Sequence, residues 1–314
     1  MSVGADGASP WIRRFMNKPK IISLGEVLWD LFPEGPRFGG APANFACHAA
    51  LMGGDVTMVS SVGDDARGRE AIKILAACGI DTALMQSANN ALTGTVGIEL
   101  DSKGKPTFKI HENSAWDELQ WTSELAARIA GANAVYFGTL GQRGATSRAT
   151  IRQALTLARS LGLLRVLDVN LRRPFYNASL IRESIALAGV LKLSDDELGE
   201  VAAACDIGMA AKTEDTLVTL RERCGLDLIV MTRGSKGAVL VSAEGVVDQP
   251  GIPTIVVDTV GAGDSFTAAF VMGLLRGESP QDNLRKSCET AAAVCSHSGA
   301  VPILVDSRPE EPAI

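Results

Sequence analysis

Two glycines one residue apart, a carboxylate and the start of a helix-forming run meet in Asp258-Thr-Val-Gly-Ala-Gly-Asp264-Ser-Phe-Thr-Ala-Ala-Phe270. The first amides of a helix have no intrahelical partner and lie at the positive end of its dipole, so this turn suits an anion. Gly261 and Gly263 let the backbone approach that anion with no Cβ in the way. If the anion is a phosphoryl group in transfer, Asp264 is placed to take the proton of an attacking hydroxyl. The competing role for Asp264 is a plain helix cap, which Asp fills well. Upstream, the β-branched run Ile255-Val256-Val257 predicts a strand feeding the turn, with the helix over about 264–275.

Other polar residues fall where such a site would need them. Asp30 follows a first buried strand, Lys20 to Gly25, at the start of a Pro/Gly-rich segment over 33–42. Phe38-Gly-Gly-Ala-Pro-Ala-Asn44 opens a helix predicted from Phe45 to Met52, and Asn44 offers a donor and an acceptor to a hydroxyl-rich ligand, or an N-cap to the helix. Asp168-Val-Asn170-Leu-Arg172, Lys192-Leu-Ser194-Asp-Asp-Glu197, Thr232-Arg-Gly234 and Asp258 all stand at predicted strand ends. In a parallel sheet these ends share one edge, where ligands bind.

The elements that must position these groups are strands alternating with helices from Leu119 onward. That pattern predicts an α/β fold with a doubly wound, mostly parallel sheet flanked by helices. Thr93 to Ile110 reads instead as a β-hairpin turning at 101–106, a small β-lid for which Ile98, Phe108 and Ile110 offer an apolar surface, to a ligand or to the domain itself. The expected organisation is a disordered leader over 1–18, one domain over 19–306 with lid strands from about 26–40 and 93–112, and a tail over 307–314.

Composition narrows the function classes. The 314 residues are 46% hydrophobic and 21% charged, as in an ordinary globular protein with a sizeable core. A net charge of −6 gives no reason to expect nucleic acid or an anionic membrane surface. The six cysteines are scattered without a CxxC, and the three histidines have no metal-ligand spacing. No apolar run reaches membrane-span length and residues 1–18 lack a signal-peptide core, so the expected location is cytoplasmic. There is no GxxxxGK[ST], and Phe266 stands where a dinucleotide fingerprint needs Gly or Ala.

The stretch Asp258–Asp264 resembles the second signature of the ribokinase-like (PfkB) carbohydrate kinases, and Phe38–Asn44 continuing through Ser61–Gly68 resembles the first. Gly25-Glu-Val-Leu-Trp-Asp30, Gly39–Asn44 and the Gly94 to Asp117 region are most similar to bacterial fructokinases. The resemblance implies an ATP- and Mg2+-dependent sugar kinase with Asp264 as catalytic base and Gly261, Ala262 and Gly263 as its anion hole. It implies sugar contacts from Asp30, Gly39, Gly40, Asn44, Arg172 and the lid residues, and a nucleotide side built from Lys192, Ser194, Thr232, Gly234 and Gly237. Glu197 is implied for magnesium through water, although Ser194 replaces the Asn usual in the family's Asn-x-x-Glu. Asp258, Val260 and Gly299 match a monovalent-cation site, for K+, and the lid a homodimer contact. The expected reaction is fructose to fructose 6-phosphate. Other acceptors (2-keto-3-deoxygluconate, ribose, a nucleoside) and a non-catalytic sugar-binding regulator are the alternatives.

Overall fold

A computed structural model describes residues 18–100 and 106–301, with side chains described except at 98–100 and 106–108. The leader over 1–17, the tail and the hairpin turn lie outside the described residues, as do the side chains of Ile98 and Phe108. No helix among the described residues is long and apolar enough to cross a membrane.

The first half runs β1 (Lys20–Leu24), β2 (Leu28–Phe32), β3 (Gly35–Gly39), α1 (Ala41–Leu51), β4 (Asp55–Val59), β5 (Ser61–Gly63), α2 (Ala66–Ala77), β6 (Gln86–Ala88), β7 (Gly94–Leu100) and β8 (Pro106–Ile110). Then follow α3 (Ser123–Ala130), β9 (Ala134–Gly138), α4 (Ala145–Ser160), β10 (Leu164–Asp168), α5 (Ala178–Leu187), β11 (Val190–Ser194), α6 (Asp195–Ala204) and α7 (Thr213–Cys224). The chain closes with β12 (Leu228–Thr232), β13 (Ala238–Ser242), β14 (Gly245–Gln249), α8 (Ala262–Arg276) and α9 (Pro280–Cys295).

The main sheet has the order β14-β13-β12-β11-β10-β9-β1-β4, parallel throughout except for the antiparallel edge strands β13 and β14. Its central strands are buried on both faces, which is why they read as near-continuous apolar runs. Alternation along each strand feeds two cores: Ala134 and Tyr136 with α1 and α8 on one side, Val135 and Phe137 with α4 on the other. Phe45 of α1 stacks on Tyr136 with ring centroids 3.9 Å apart. From β1 the main sheet continues to β4 on one side and then to β9 on the other, so the strand order reverses at β1 and opens a crevice at the carboxyl ends.

A second sheet, ordered β3-β2-β7-β8, joins the predicted hairpin to the β2–β3 pair, which falls in the 26–40 stretch expected to give lid strands and sets Asp30 opposite Arg37. Asp30 therefore lies mid-strand in this smaller sheet, not at the end of a main-sheet strand as the sequence predicts. The Ile255–Val257 strand is also corrected. These residues form no ladder and are 84%, 61% and 61% exposed, because β14 already occupies the sheet edge and the chain leaves it after Gln249. Both site helices begin earlier than predicted, α1 at Ala41 with Pro42 in its first turn and α8 at Ala262.

Arg143 fastens the root of the smaller sheet to the main body. Its Nε and Nη2 donate to the two oxygens of Asp117 at 2.9 Å each, and Nη2 also reaches the carbonyl of His111, just after β8, at 2.7 Å. The guanidinium lies between the rings of Trp116 and Phe175 and is almost fully buried. Losing one partner of such a pair strands a buried charge, which costs about 3–5 kcal/mol. Arg143→Ala is expected to lose that much in chemical denaturation, and a loss below about 1 kcal/mol would show that the clamp is not a stability element.

Candidate active site

Helix α8 begins with Gly261 as N-cap at φ 78°, a left-handed conformation that favours glycine. A Cβ there would lie 2.4 Å from the carbonyl oxygen of Ala300, so the next loop packs directly on the glycine. That carbonyl also bonds Nε2 of buried His48 at 2.8 Å, which ties the 297–301 segment to α1. Asp258 shapes the approach: its Oδ1 accepts from the Val260 amide and its Oδ2 from the Gly299 amide, both at 3.0 Å. The amides of the first α8 turn are left free of intrahelical bonds by helix geometry.

Two cavities flank this turn, and Thr259 and Gly263 line both. The first, of about 440 Å3, gathers Asp30, Gly40, Asn44, Ile110, Arg172, Lys192, Val260, Gly261 and Asp264 from both sheets and from α1 and α8. Asn44 Nδ2 donates to Asp264 Oδ2 at 2.8 Å across 220 residues of sequence. Asn44 Oδ1 has no partner among the described residues. Gly39 backs Asp30, since a Cβ on it would stand 2.9 Å from Asp30 Oδ2. The second cavity, of about 530 Å3, contains Thr232, Gly234, Gly237 and Ala262.

Polar groups that the sequence places at strand ends are partly joined beneath these cavities. Lys192 Nζ bonds Asp168 Oδ1 at 3.1 Å in the protein interior, and Thr267 of α8 donates to Asp168 Oδ2 at 3.2 Å. Lys192 also faces Gly263, whose added Cβ would lie 3.4 Å from Nζ. Glu197 is turned to its own helix: Oε2 accepts from the Ser194 amide and hydroxyl, and Oε1 from the Leu171 amide at 2.7 Å. This is a capping box, the local reason for Ser at 194. Asp258 and Gly299 lie in loops rather than at a strand end.

Two residues, Glu26 in the first cavity and Arg37 beside it, had no part assigned from the sequence, and Asn170 was placed only as a strand-end group. Arg37 projects from β3 to within 3.6 Å of Asp258 Oδ2, with its guanidinium over the Phe32 ring. Asn170 lines the first cavity and has φ 37°. Glu26, 3% exposed, also lines it, and its Oε2 has no partner among the described residues. Only its adjacency to Gly25 at the end of the first strand could have pointed to Glu26.

Burial governs the charges here. It raises the carboxyl of Glu26 to about 7 and that of Asp30 to about 6, with Arg172 pulling each back. Asp264 keeps a partly exposed edge, but desolvation still holds its carboxyl above the usual range against the Asn44 hydrogen bond and Lys192. Burial likewise raises Asp168 to about 6, opposed by Lys192, and lowers His48. For Lys192, burial works toward deprotonation, but the carboxylates of Asp168 and Glu197 outweigh it and the ammonium is held above its ordinary value.

A folded-state carboxyl raised from 4.5 to about 7 binds a proton that the unfolded chain has already lost. Stability therefore falls as pH rises from 6 to 8, by about 1 kcal/mol from Glu26 alone. Glu26→Gln is expected to flatten that slope in denaturant midpoints at pH 6 and 8. An unchanged slope in the variant would remove Glu26 from the explanation.

The chain is similar in sequence to proteins of one chemistry. A family model described as pfkB family carbohydrate kinase matches residues 35–306. A probable fructokinase-5 of Arabidopsis thaliana is 30% identical over 92% of this chain and 95% of its own length. An aminoimidazole riboside kinase of Salmonella typhimurium is 28% identical over 82% of this chain and 81% of its own. A fructokinase from Xylella fastidiosa, solved with bound ATP, has the same fold with a TM-score of 0.79 at 19% identity, covering 91% of this chain and 97% of its own. With its ribokinase-like sheet, its second sheet and its glycine-framed helix start accounted for, the chain belongs to the pfkB family of carbohydrate kinases.

Proposed function

We propose that this protein transfers the γ-phosphoryl group of ATP to a primary hydroxyl of a sugar, with D-fructose as acceptor and fructose 6-phosphate as product. The observation that carries the reading is the 2.8 Å contact of Asn44 with Asp264, inside a cavity that meets a second one at the first turn of α8. An acceptor bound by Asn44 is thereby brought to the carboxylate that would take its proton. The nucleotide occupies the second cavity, with Thr232, Gly234 and Gly237 along it and its terminal phosphate at Gly263.

In this reading Asp30, Gly39, Gly40, Asn44 and Arg172 hold the sugar, with Ile98, Phe108 and Ile110 on the covering sheet. Asp264 accepts the hydroxyl proton as the oxygen attacks phosphorus in line, and its raised basicity suits it to that task. The amides around Gly261, Ala262 and Gly263, together with Lys192, stabilise charge on the transferring group. Closing the smaller sheet over the acceptor excludes water, the competing nucleophile. Magnesium bound with the nucleotide would neutralise phosphate charge. Glu197 Oε2 caps its own helix and Oε1 holds the Leu171 amide, so Glu197 would reach such an ion through water while the phosphates supply direct ligands. A riboside is the second reading, favoured by the similarity to the riboside kinase.

Asp264→Asn retains the shape and one hydrogen-bonding oxygen but cannot take a proton. Its turnover of ATP with fructose is expected to drop by at least about a hundredfold while sugar affinity changes little, general-base contributions being about 10²–10⁴-fold. Near-normal turnover would remove Asp264 as the base.

A monovalent cation at Asp258, Val260 and Gly299 has a competitor on this chain. The Asp258 carboxylate accepts two amides and faces the Arg37 guanidinium at 3.6 Å, which supplies part of the positive charge a cation would bring there. Added potassium is expected to change the wild-type rate less than about twofold, whereas Arg37→Ala should lose about threefold and recover it with potassium, in keeping with a partly exposed ion pair. A strong potassium requirement in the wild type would contradict this.

A further inference from the structure

We propose that the nucleotide base is held here chiefly by packing, so that guanosine and inosine triphosphates serve as phosphoryl donors with no more than about thirtyfold discrimination against them. The inference rests on the nucleotide occupying the second cavity, as read above.

The side chains on the walls of that cavity away from Gly263 offer little that could read a base edge. One wall is α9, which presents Cys288, Ala291, Ala292 and Cys295 from a single helical face. Helix amides and carbonyls are spent internally. The carbonyls near its end are also taken by the loop opposite, since Ala292 accepts from Thr254 Oγ1 at 3.3 Å and Cys295 from the Val257 amide at 2.8 Å. A second wall is that loop, with Ile252 and Val256 facing the space, and Phe266 of α8 adds an aromatic surface.

The run Ile255–Val257 gains its meaning here. Its sequence is that of a strand, yet it joins no sheet and stands largely in water beside the cavity. Covering such apolar surface contributes about 25 cal/mol per Å2, and a flat heterocycle laid against Val256 would do so whatever its exocyclic groups.

Among the described residues no charged or amide side chain lines this cavity. Its polar side chains are hydroxyls. Thr254 is committed to Ala292, Thr232 leans on the Leu193 carbonyl at 3.4 Å, and Thr259 belongs to the phosphate end shared with the first cavity. Ser235 remains, and a hydroxyl donates or accepts with equal ease, so it meets an amino group or a carbonyl alike. Strong rejection of a wrong ligand requires buried polar groups left unpaired by it, and an apolar pocket discriminates isosteres only about 10–200-fold at most.

The test measures initial rates with magnesium and the best acceptor across concentrations of ATP, GTP and ITP, for the wild type and for Val256→Ser, an exposed position that folding tolerates. The expected result is kcat/KM for GTP and ITP within about thirtyfold of that for ATP. Val256→Ser should raise KM for all three by a similar factor, with the sugar KM unmoved. Preference for ATP beyond thirtyfold, or unchanged nucleotide KM in Val256→Ser, overturns the inference while leaving the kinase intact. Absence of turnover with every donor overturns the underlying reading instead.

Discussion

Asn44 and Asp264 meet because α1 and α8 pack side by side on one face of the main sheet, and everything specific about the site follows from that contact. The apolar seam beneath them, including Phe45 on Tyr136 and the buried Phe266 and Phe270, sets the spacing of the two helix starts. Both helices open from glycine with positive φ, Gly40 at 106° and Gly261 at 78°, and neither glycine could carry a Cβ without striking backbone. Two helix N-termini thus converge on one crevice with a hydrogen-bonded pair between them. Such a place favours negative charge approaching from solvent.

Electrostatics below the crevice complement that field. The Lys192–Asp168 pair, held by Thr267, sets an ammonium directly under Gly263 at a position shielded from water. A buried pair is weak evidence for stability, since desolvation offsets most of its attraction. Its presence here is better understood as placement of positive charge where phosphoryl charge would develop. Burial holds the carboxyls of Glu26, Asp30 and Asp264 around the crevice, and that of Asp168 within the pair, above their ordinary range.

Much of this was legible from residue types. The strand–helix alternation after Leu119, the hairpin over 93–110 and a glycine-framed turn opening a helix near Asp264 all follow from periodicity and glycine chemistry. The parallel strand ends were enough to bring Asp168 and Lys192 together. What failed did so for identifiable reasons. Ile255–Val257 has strand propensity but no free sheet edge to join, and tertiary context decides β-structure. Glu197, expected beside magnesium through water, also closes a capping box with the serine three residues before it, a second role that its position in the sequence did not announce. Glu26 and Arg37 were invisible because their importance lies in partners brought from distant segments. Arg37 acquires its meaning only when β3 is folded over the Asp258 loop.

The central claim is that one crevice passes a phosphoryl group from ATP to a sugar hydroxyl. Its most direct test is ADP release by the wild-type chain with ATP and magnesium across fructose, ribose, 2-keto-3-deoxygluconate, aminoimidazole riboside and a no-acceptor blank. The account predicts release well above the blank, greatest with fructose and matched by equimolar fructose 6-phosphate. Turnover confined to another acceptor would contradict fructose as the substrate, and release no greater than the blank with every acceptor, from folded protein, would contradict the account as a whole.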